Sequence, residues 1–363
     1  MRLSVGRLTR AVVALLLPTA LVHATAVRRA STCNGHSELC DRSFGNVTFV
    51  GAHDSYAVSS INPAANQDVN VTQQLEDGIR MLQMQTHNES GTIQLCHTSC
   101  LLLNGGTLQT YLQSVKSWMD SNPNEVVSLL IVNSYDNFSP AQYDTVFKAV
   151  GLDTLAYSPT SASLTYTNWP TLGDLIDNGK RLVVFLTTQA DYTSVPYLID
   201  EFSNVWETAY DLTTTTFDCN VNRTSGNSQE QMYLINHFLD DEYLGVLVPD
   251  KSDADKTNAA SGTGSLGAQV TECAAQYSRN PNFMLVDFYE YGGGSVFEVA
   301  ATANGVTYTP SNIATPVSSG ASSTSTSSSS SNAGAIGFHV TTMHLSAVAA
   351  VAGGLLFGAL NIV

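Results

Sequence analysis

The sequence predicts an α/β fold, a single-domain TIM-type (β/α)8 barrel with room for irregularity, and three observations carry the prediction. Runs of β-forming residues alternate with stretches of helical spacing along most of the chain, as in a parallel sheet joined by crossover helices. The alternation covers about 270 residues without a visible repeat, a length that suits one eight-stranded barrel. Residues able to do chemistry, namely His53, the Gln83–His87 stretch, Asn133 and Asp287, fall at the C-terminal ends of strand-like runs. Barrels of this kind keep their working side chains there.

Each element has its own signal. Val47 and Phe49 alternate toward Gly51, after which Ala52-His53-Asp54-Ser55 enters a loop. Val71–Asp77 reads as a short helix entered through Asn70, a good N-cap. Arg80–Thr86 is the second strand, and Ile93–Cys96 a brief extended piece hairpinned to it. Leu108–Ser121 carries apolar residues at helical spacing (Leu108, Tyr111, Leu112, Val115, Met119) and stops at Asn122-Pro123-Asn124. Glu125–Val132 is a buried-type strand, Ala141–Val150 a helix, and Thr171–Asn178 a helix stopped by Gly179. Arg181–Thr187 is strongly β. One strand is expected around Val205–Tyr210, and Tyr233–Phe238 fits either a strand or a helix end. Gly267–Tyr277 (helix), Phe283–Phe288 (strand) and Ser295–Ala303 (helix) close the domain.

The folded part, residues 27–308, is flanked by processed segments. Residues 1–26 read as a secretory signal, with Arg2, Arg7 and Arg10 before the apolar run Ala11–Val22 and small residues at Ala24-Thr25-Ala26. Residues 309–332 form a Ser/Thr-rich stalk, densest over Ser318–Ser331, that cannot build a core. Residues 333–363 read as a glycosylphosphatidylinositol signal, removed on attachment. A polar spacer precedes the uncharged run Leu345–Val363, and Asn332 in Asn332-Ala333-Gly334 is the expected attachment residue. The expected place is therefore the secretory pathway and the outer cell surface or wall. Five sequons, at Asn46, Asn70, Asn88, Asn137 and Asn222, fit that route. So do six cysteines, which spacing pairs as Cys33–Cys40, Cys96–Cys100 and Cys219–Cys273. A net charge of −16 argues against a nucleic-acid partner and against attraction to anionic bilayers by charge alone.

Two histidines in strand-end loops, His53 and His97, suit a reaction in which one imidazole takes a proton and the other gives one. Each position also has a plainer reading. A histidine after a strand is commonly a hydrogen-bonded structural residue, as expected for His237. Asp54 could cap its turn and Asp287 could be a satisfied strand-end carboxylate. Cys96-His97-Cys100 has too few ligands for a metal site and reads better as a small disulfide loop around His97.

G-A-H-D-S-Y at Gly51–Tyr56, Q-L-E-D-G-I-R-M-L at Gln74–Leu82, L-C-H-T-S at Leu95–Ser99, the long run Trp169–Leu186 and L-V-D-F-Y at Leu285–Tyr289 resemble the catalytic barrel of phosphatidylinositol-specific phospholipase C. The likeness runs from about Asn46 to Asn304 and is greatest to secreted, often anchored fungal phosphodiesterases of that type. The resemblance implies His53 as general base, His97 as general acid, Asp54 as the polar partner beside the base, and Asp287 as the carboxylate orienting His53. It implies a phosphoinositide-like lipid or a glycosylated relative as substrate, and a cyclic phosphate as product. One departure is marked. Where bacterial relatives carry an Asp and a catalytic Arg, and animal relatives two calcium-binding carboxylates, this chain has Gln83 and Gln85. Neutral amides replace neither, so the expectation is metal-independent chemistry without a cofactor. Asn133 stands where relatives place a Glu or Lys. Gln83, Gln85, His87 and Asn133 are the expected substrate contacts, with protonated His87 as a substitute cation. The competing expectation is a catalytically lapsed barrel serving as a surface binding protein.

Overall fold

The structure is a computed structural model that describes residues 29–243, 245–309 and 312–317. The expected signal segment, most of the stalk, Asn332 and the 333–363 tail lie outside the described residues. The elements run β1 (Phe49–Ala52), α1 (Val71–Asp77), β2 (Met81–Glu89), β3 (Thr92–His97), β4 (Leu103–Thr107), α2 (Leu108–Ser121), β5 (Val127–Val132) and α3 (Pro140–Val150). They continue α4 (Leu172–Asp177), β6 (Leu182–Leu186), β7 (Leu198–Asp200), α5 (Glu201–Asn204), β8 (Val205–Glu207) and β9 (Met232–Asn236). Last come β10 (Asp240–Tyr243), β11 (Val246–Pro249), α6 (Ala254–Thr257), α7 (Leu266–Tyr277), β12 (Phe283–Val286) and α8 (Ser295–Asn304).

Eight strands form one all-parallel path in the order β7-β6-β5-β2-β1-β12-β9-β8. Read around the curl they keep their chain order, which is the (β/α)8 arrangement. The irregularity is at the seam. β7 and β8 end the path and, among the described residues, share no ladder. Residues 187–197 and 208–231, on either side of that seam, hold no helix.

Two buried clusters explain the curl. Val50, Leu82, Leu129, Val184, Ile235 and Met284 face the helices. Phe49, Met81, Leu130, Phe185, Leu234 and Phe283 fill the interior with Phe44 and Trp169. The period of two along each strand sorts one set from the other. The same parity carries upward from the interior: after Phe49 and Gly51 comes His53, after Met81 come Gln83, Gln85 and His87, and after Phe283 and Leu285 comes Asp287. Gly51 suits that crowded interior row, because a Cβ there would lie 3.1 Å from Leu285 Cδ1 and 3.2 Å from Met81 Cβ. Arg80 has the outward parity and pairs with Glu125 (2.8 Å) over the Trp118 ring.

Local signals account for the elements read correctly. Asn70 accepts from Gln73 N (3.1 Å) at the start of α1, and Thr107 from Thr110 N (3.1 Å) at the start of α2. Buried Arg181 donates to the carbonyls of Met119 (3.0 Å), Asn122 (3.0 Å) and Glu125 (3.2 Å), closing the end of α2. Three features departed from expectation. β7 is three residues long, β4 reads Leu-Asn-Gly-Gly-Thr, and β10 reads Asp-Asp-Glu-Tyr. β4 and β10 are mostly residues of low strand preference, and β7 is too short to show a pattern. The three disulfides are Cys33–Cys40, Cys96–Cys100 and Cys219–Cys273, as spacing predicted.

Candidate active site

The loops leaving β1, β3 and β12 bring His53, Asp54, His97 and Asp287 together at the C-terminal mouth of the barrel. His53 Nδ1–H donates to Asp287 Oδ1 (3.0 Å), and its ring stacks on Phe238 with centroids 3.8 Å apart. His97 Nδ1–H donates to Ala64 O (2.6 Å), which turns its Nε2 inward. The two Nε2 atoms then address a single oxygen: His53 Nε2 lies 3.9 Å and His97 Nε2 3.6 Å from Asp54 Oδ2. Neither ring is sealed, each side chain keeping 12% exposure while the Asp54 side chain has none.

The backbone is unusual at each of these positions. Asp54, Thr98 and Phe288, the residues after His53, His97 and Asp287, have φ of 36°, 58° and 43°. Left-handed non-glycine residues are uncommon, and they gather where a site over-determines the chain. The Cys96–Cys100 disulfide ties down the turn that holds His97 and Thr98.

Charge at the mouth is set by carboxylates. Burial alone would push the His53 imidazole down. Asp287, through charge and hydrogen bond, then Asp54 and Asp240 outweigh it and raise the group to about 9. Asp54 is pushed above the usual carboxylate range by burial, against the pull of His53 and His97. Asp240 rises to about 7, chiefly by burial and then by the neighbouring Asp287. An imidazole raised in this way is a cation at neutral pH.

The glutamines of β2 take up Asp54. Gln83 Oε1 accepts from Asp54 N (2.6 Å), and Gln85 Nε2 donates to Asp54 Oδ2 (2.8 Å) while its Oε1 accepts from Thr98 N (3.0 Å). Gln85 therefore joins the loop of the first histidine to that of the second. A carboxylate could not make the first bond and a guanidinium could not make the second. His87 lies 3.6 Å from Asp136 and stacks near Tyr135. Burial lowers its imidazole below the ordinary value, so the substitute cation expected there has to act against its surroundings. Asn133 does not fit the expectation of a substrate contact. It has the outward parity of β5, is fully buried, and holds its own loop through Phe138 N (2.8 Å), Phe138 O (2.9 Å), Thr188 O (3.2 Å) and the Tyr143 hydroxyl (2.8 Å).

Four residues at the site went unread in the sequence. Asn66, fully buried, donates to both Asp287 oxygens (3.1 and 3.2 Å). Gln67 Nε2 donates to His53 O (2.8 Å), while Phe238 comes from the turn after β9 and Asp240 from the start of β10. The first pair lies in a loop without periodicity, and only the Asn-Gln dipeptide beside a turn could have drawn notice. His237 is buried between Gln269 and Thr257 O and is pushed down to about 4, a structural histidine. Among the described residues no three His, Cys, Asp or Glu side chains are grouped to hold a metal ion.

A family model described as PI-PLC X 1 matches residues 39–304. The PI-PLC X domain-containing protein 1 of Arthroderma benhamiae is 46% identical over 297 residues, 81% of this chain and 96% of that relative. An uncharacterized secreted protein of the same fungus is 45% identical over 286 residues, 76% of this chain. The chain spans 64% of that relative's length. Among solved structures, the phosphatidylinositol-specific phospholipase C of Listeria monocytogenes overlaps 72% of this chain and 94% of its own, at 13% identity and a TM-score of 0.47. The sequence matches, spanning almost all of the folded chain, make this protein a member of the PI-PLC X domain family.

Proposed function

We propose that the chain is a phosphoric diester hydrolase of the phospholipase C type, cleaving a phosphoinositide-like lipid with His53 as general base, His97 as general acid and no metal. The observation that carries the reading is the convergence of two Nε2 atoms on Asp54 Oδ2 at the barrel mouth. Neutral His53 would take the proton of the inositol 2-hydroxyl, whose oxygen attacks the adjacent phosphorus. The bond from phosphorus to the diacylglycerol oxygen breaks, and His97 protonates that oxygen. A cyclic phosphate and a diacylglycerol result, and Asp287 stabilises the imidazolium formed on His53.

Access from a lipid surface has support in the rim. The exposed large hydrophobic residues among the described residues all lie in segments that leave the C-terminal ends of barrel strands and lead on to the next one, Tyr243 and Leu247 within the β10–β11 hairpin after β9. Ile61 (92%) and Leu101 (84%) are the most open, with Tyr135, Tyr210, Val221, Tyr243 and Leu247 beyond them. Asn62 Nδ2 donates to Leu102 O (2.8 Å), which sets the first two loops side by side.

The test is turnover of an inositol phospholipid by the purified chain, with and without chelator, beside His53→Ala and His97→Ala. Each substitution is expected to cost ~10²–10⁴-fold. Turnover abolished by chelator, or untouched by both substitutions, defeats the mechanism. One observation favours a lapsed, binding-only barrel instead: Gln83 and Gln85 are engaged with Asp54, and β2 brings no arginine or lysine to the mouth. Binding of the lipid without turnover would establish that second reading.

A further inference from the structure

The chain beyond α8 follows a defined course. Thr307–Thr309 line a cleft of about 420 Å³ together with Val47–Val50, at the N-terminal pole of the barrel and away from the mouth. Ala314 N then donates to Asp77 Oδ2 (2.9 Å), at the last residue of α1. Val317 N donates to Asp68 Oδ2 (2.9 Å), ahead of the start of α1. Three extended residues reach ~10 Å, and a seven-residue helix such as α1 is ~10 Å long. The strap 312–317 thus lies along α1 and climbs from the closed pole to the mouth. Its upper end is well held. The Asp68 side chain has no exposure and pairs with Lys251, and the Tyr291 hydroxyl donates to Val317 O (3.4 Å). Lys251 lies 5.0 Å from the centre of the Phe288 ring, and Phe288 follows Asp287. Asp68 itself follows Asn66 and Gln67, which hold Asp287 and His53.

We propose that the strap orients the protein, turning the barrel mouth toward the lipid leaflet that holds the chain's own C-terminal tail. The proposal rests on the anchored reading of residues 333–363 and adds the direction in which the site faces. Its force comes from lengths. Asn332 lies fifteen residues beyond Val317, and a Gly/Ser-type linker of that length has an r.m.s. reach of roughly 20 Å. A domain of this size is roughly 48 Å across. A tether so much shorter than the body it holds keeps its exit pole against the surface. Without the strap the tether would begin after Asn304, near the opposite pole, and face the closed end to the membrane. Charge does not supply the orientation, since an excess of sixteen acidic over basic residues is repelled by an anionic leaflet. The exit point and the Ile61–Leu101 rim then address one surface, so the site draws substrate from the leaflet to which it is fixed.

Orientation can be read without turnover. The full chain, recovered on the membrane of expressing cells and reconstituted into phosphatidylcholine vesicles, would carry a fluorophore at Ile61→Cys or at Glu38→Cys beside the opposite cleft. Headgroup spin labels should quench the Ile61 probe at least threefold more than the Glu38 probe. Ala314→Pro with Val317→Pro removes the two strap donors and leaves both carboxylates in place, and it should abolish or reverse that order. An insertion of about thirty Gly/Ser residues after Val317, which leaves the strap untouched, should weaken the order with tether length. Equal quenching in the parent chain, an unchanged order in the double proline variant whose melting transition is intact, or recovery only as unattached protein would overturn the proposal. A soluble short-chain inositol phosphodiester, assayed in parallel, isolates the hydrolase reading: its failure to turn over would remove that reading and leave the quenching order to decide orientation.

Discussion

Replacing Asp287 by Asn tests the electrostatics of the site at their source. Asp287 Oδ1 lies 3.0 Å from His53 Nδ1, and its charge is the largest influence raising an imidazole that burial would otherwise depress. The climb from the ordinary ~6.5 to about 9 corresponds to something on the order of 3 kcal/mol of preference for the imidazolium, at ~1.36 kcal/mol per unit. An amide keeps the shape but not the charge, so His53 should titrate well below about 9. The change is measured by NMR titration of the His53 ring resonances, assigned with His53→Gln. Stability should follow with a definite sign. The folded pKa lies above the unfolded one, so the contribution of His53 is complete below pH ~6.5 and is lost as pH rises through about 9. Chemical denaturation of the parent chain should therefore show stability falling across that window, and Asp287→Asn should remove most of the fall. If His53 in the variant still titrates above pH 8, or the slope is unchanged, Asp287 is not what holds the proton on this ring.

Three further outcomes are expected. If His53 is the base, kcat/KM should rise about tenfold per pH unit from 7 toward 9, as its neutral form becomes available; a rising limb centred below pH 7 would assign the base elsewhere. Gln85→Ala unhooks Thr98 and Asp54 together, and should lower kcat by ~10–10²-fold with little change in melting temperature; full activity would show that the two histidine loops hold their places unaided. Arg181→Met removes three hydrogen bonds to the carbonyls that close α2, one of them fully buried, and should cost about 2–3 kcal/mol in urea denaturation. A loss below ~1 kcal/mol would mean that water replaces the guanidinium.

Much of the architecture was legible because barrel strands carry their assignment in a period of two. Val183 and Phe185 face inward and Leu182, Val184 and Leu186 outward, and the same parity delivers His53, Gln83, Gln85 and Asp287 to the mouth. That rule also explains why Asn133 fails as a contact, since its neighbours Leu129 and Ile131 face the helices. What the sequence hid was held together by backbone or by chain reversal. β4 and β10 lack strand-forming side chains, and β7 is too short for any pattern. Asn66 reaches Asp287 across 221 positions of sequence, a contact that only the closed curl creates. The roles of Gln83 and Gln85 were out of reach for a similar reason. The sequence showed that positions 83 and 85 carry neutral amides, but not that both are engaged by a single aspartate one strand away.

The unlaced seam has a consequence for how molecules of this protein meet one another. An open parallel sheet offers two rows of unpaired amides, the kind of border along which separate chains zip into aggregates. Here each border is a three-residue strand, and the four residues of α5 lead from one directly into the other. A neighbour trying to extend the sheet would find a foothold too brief to nucleate on. The cylinder can stand ajar without offering a neighbouring chain a strand long enough to pair with.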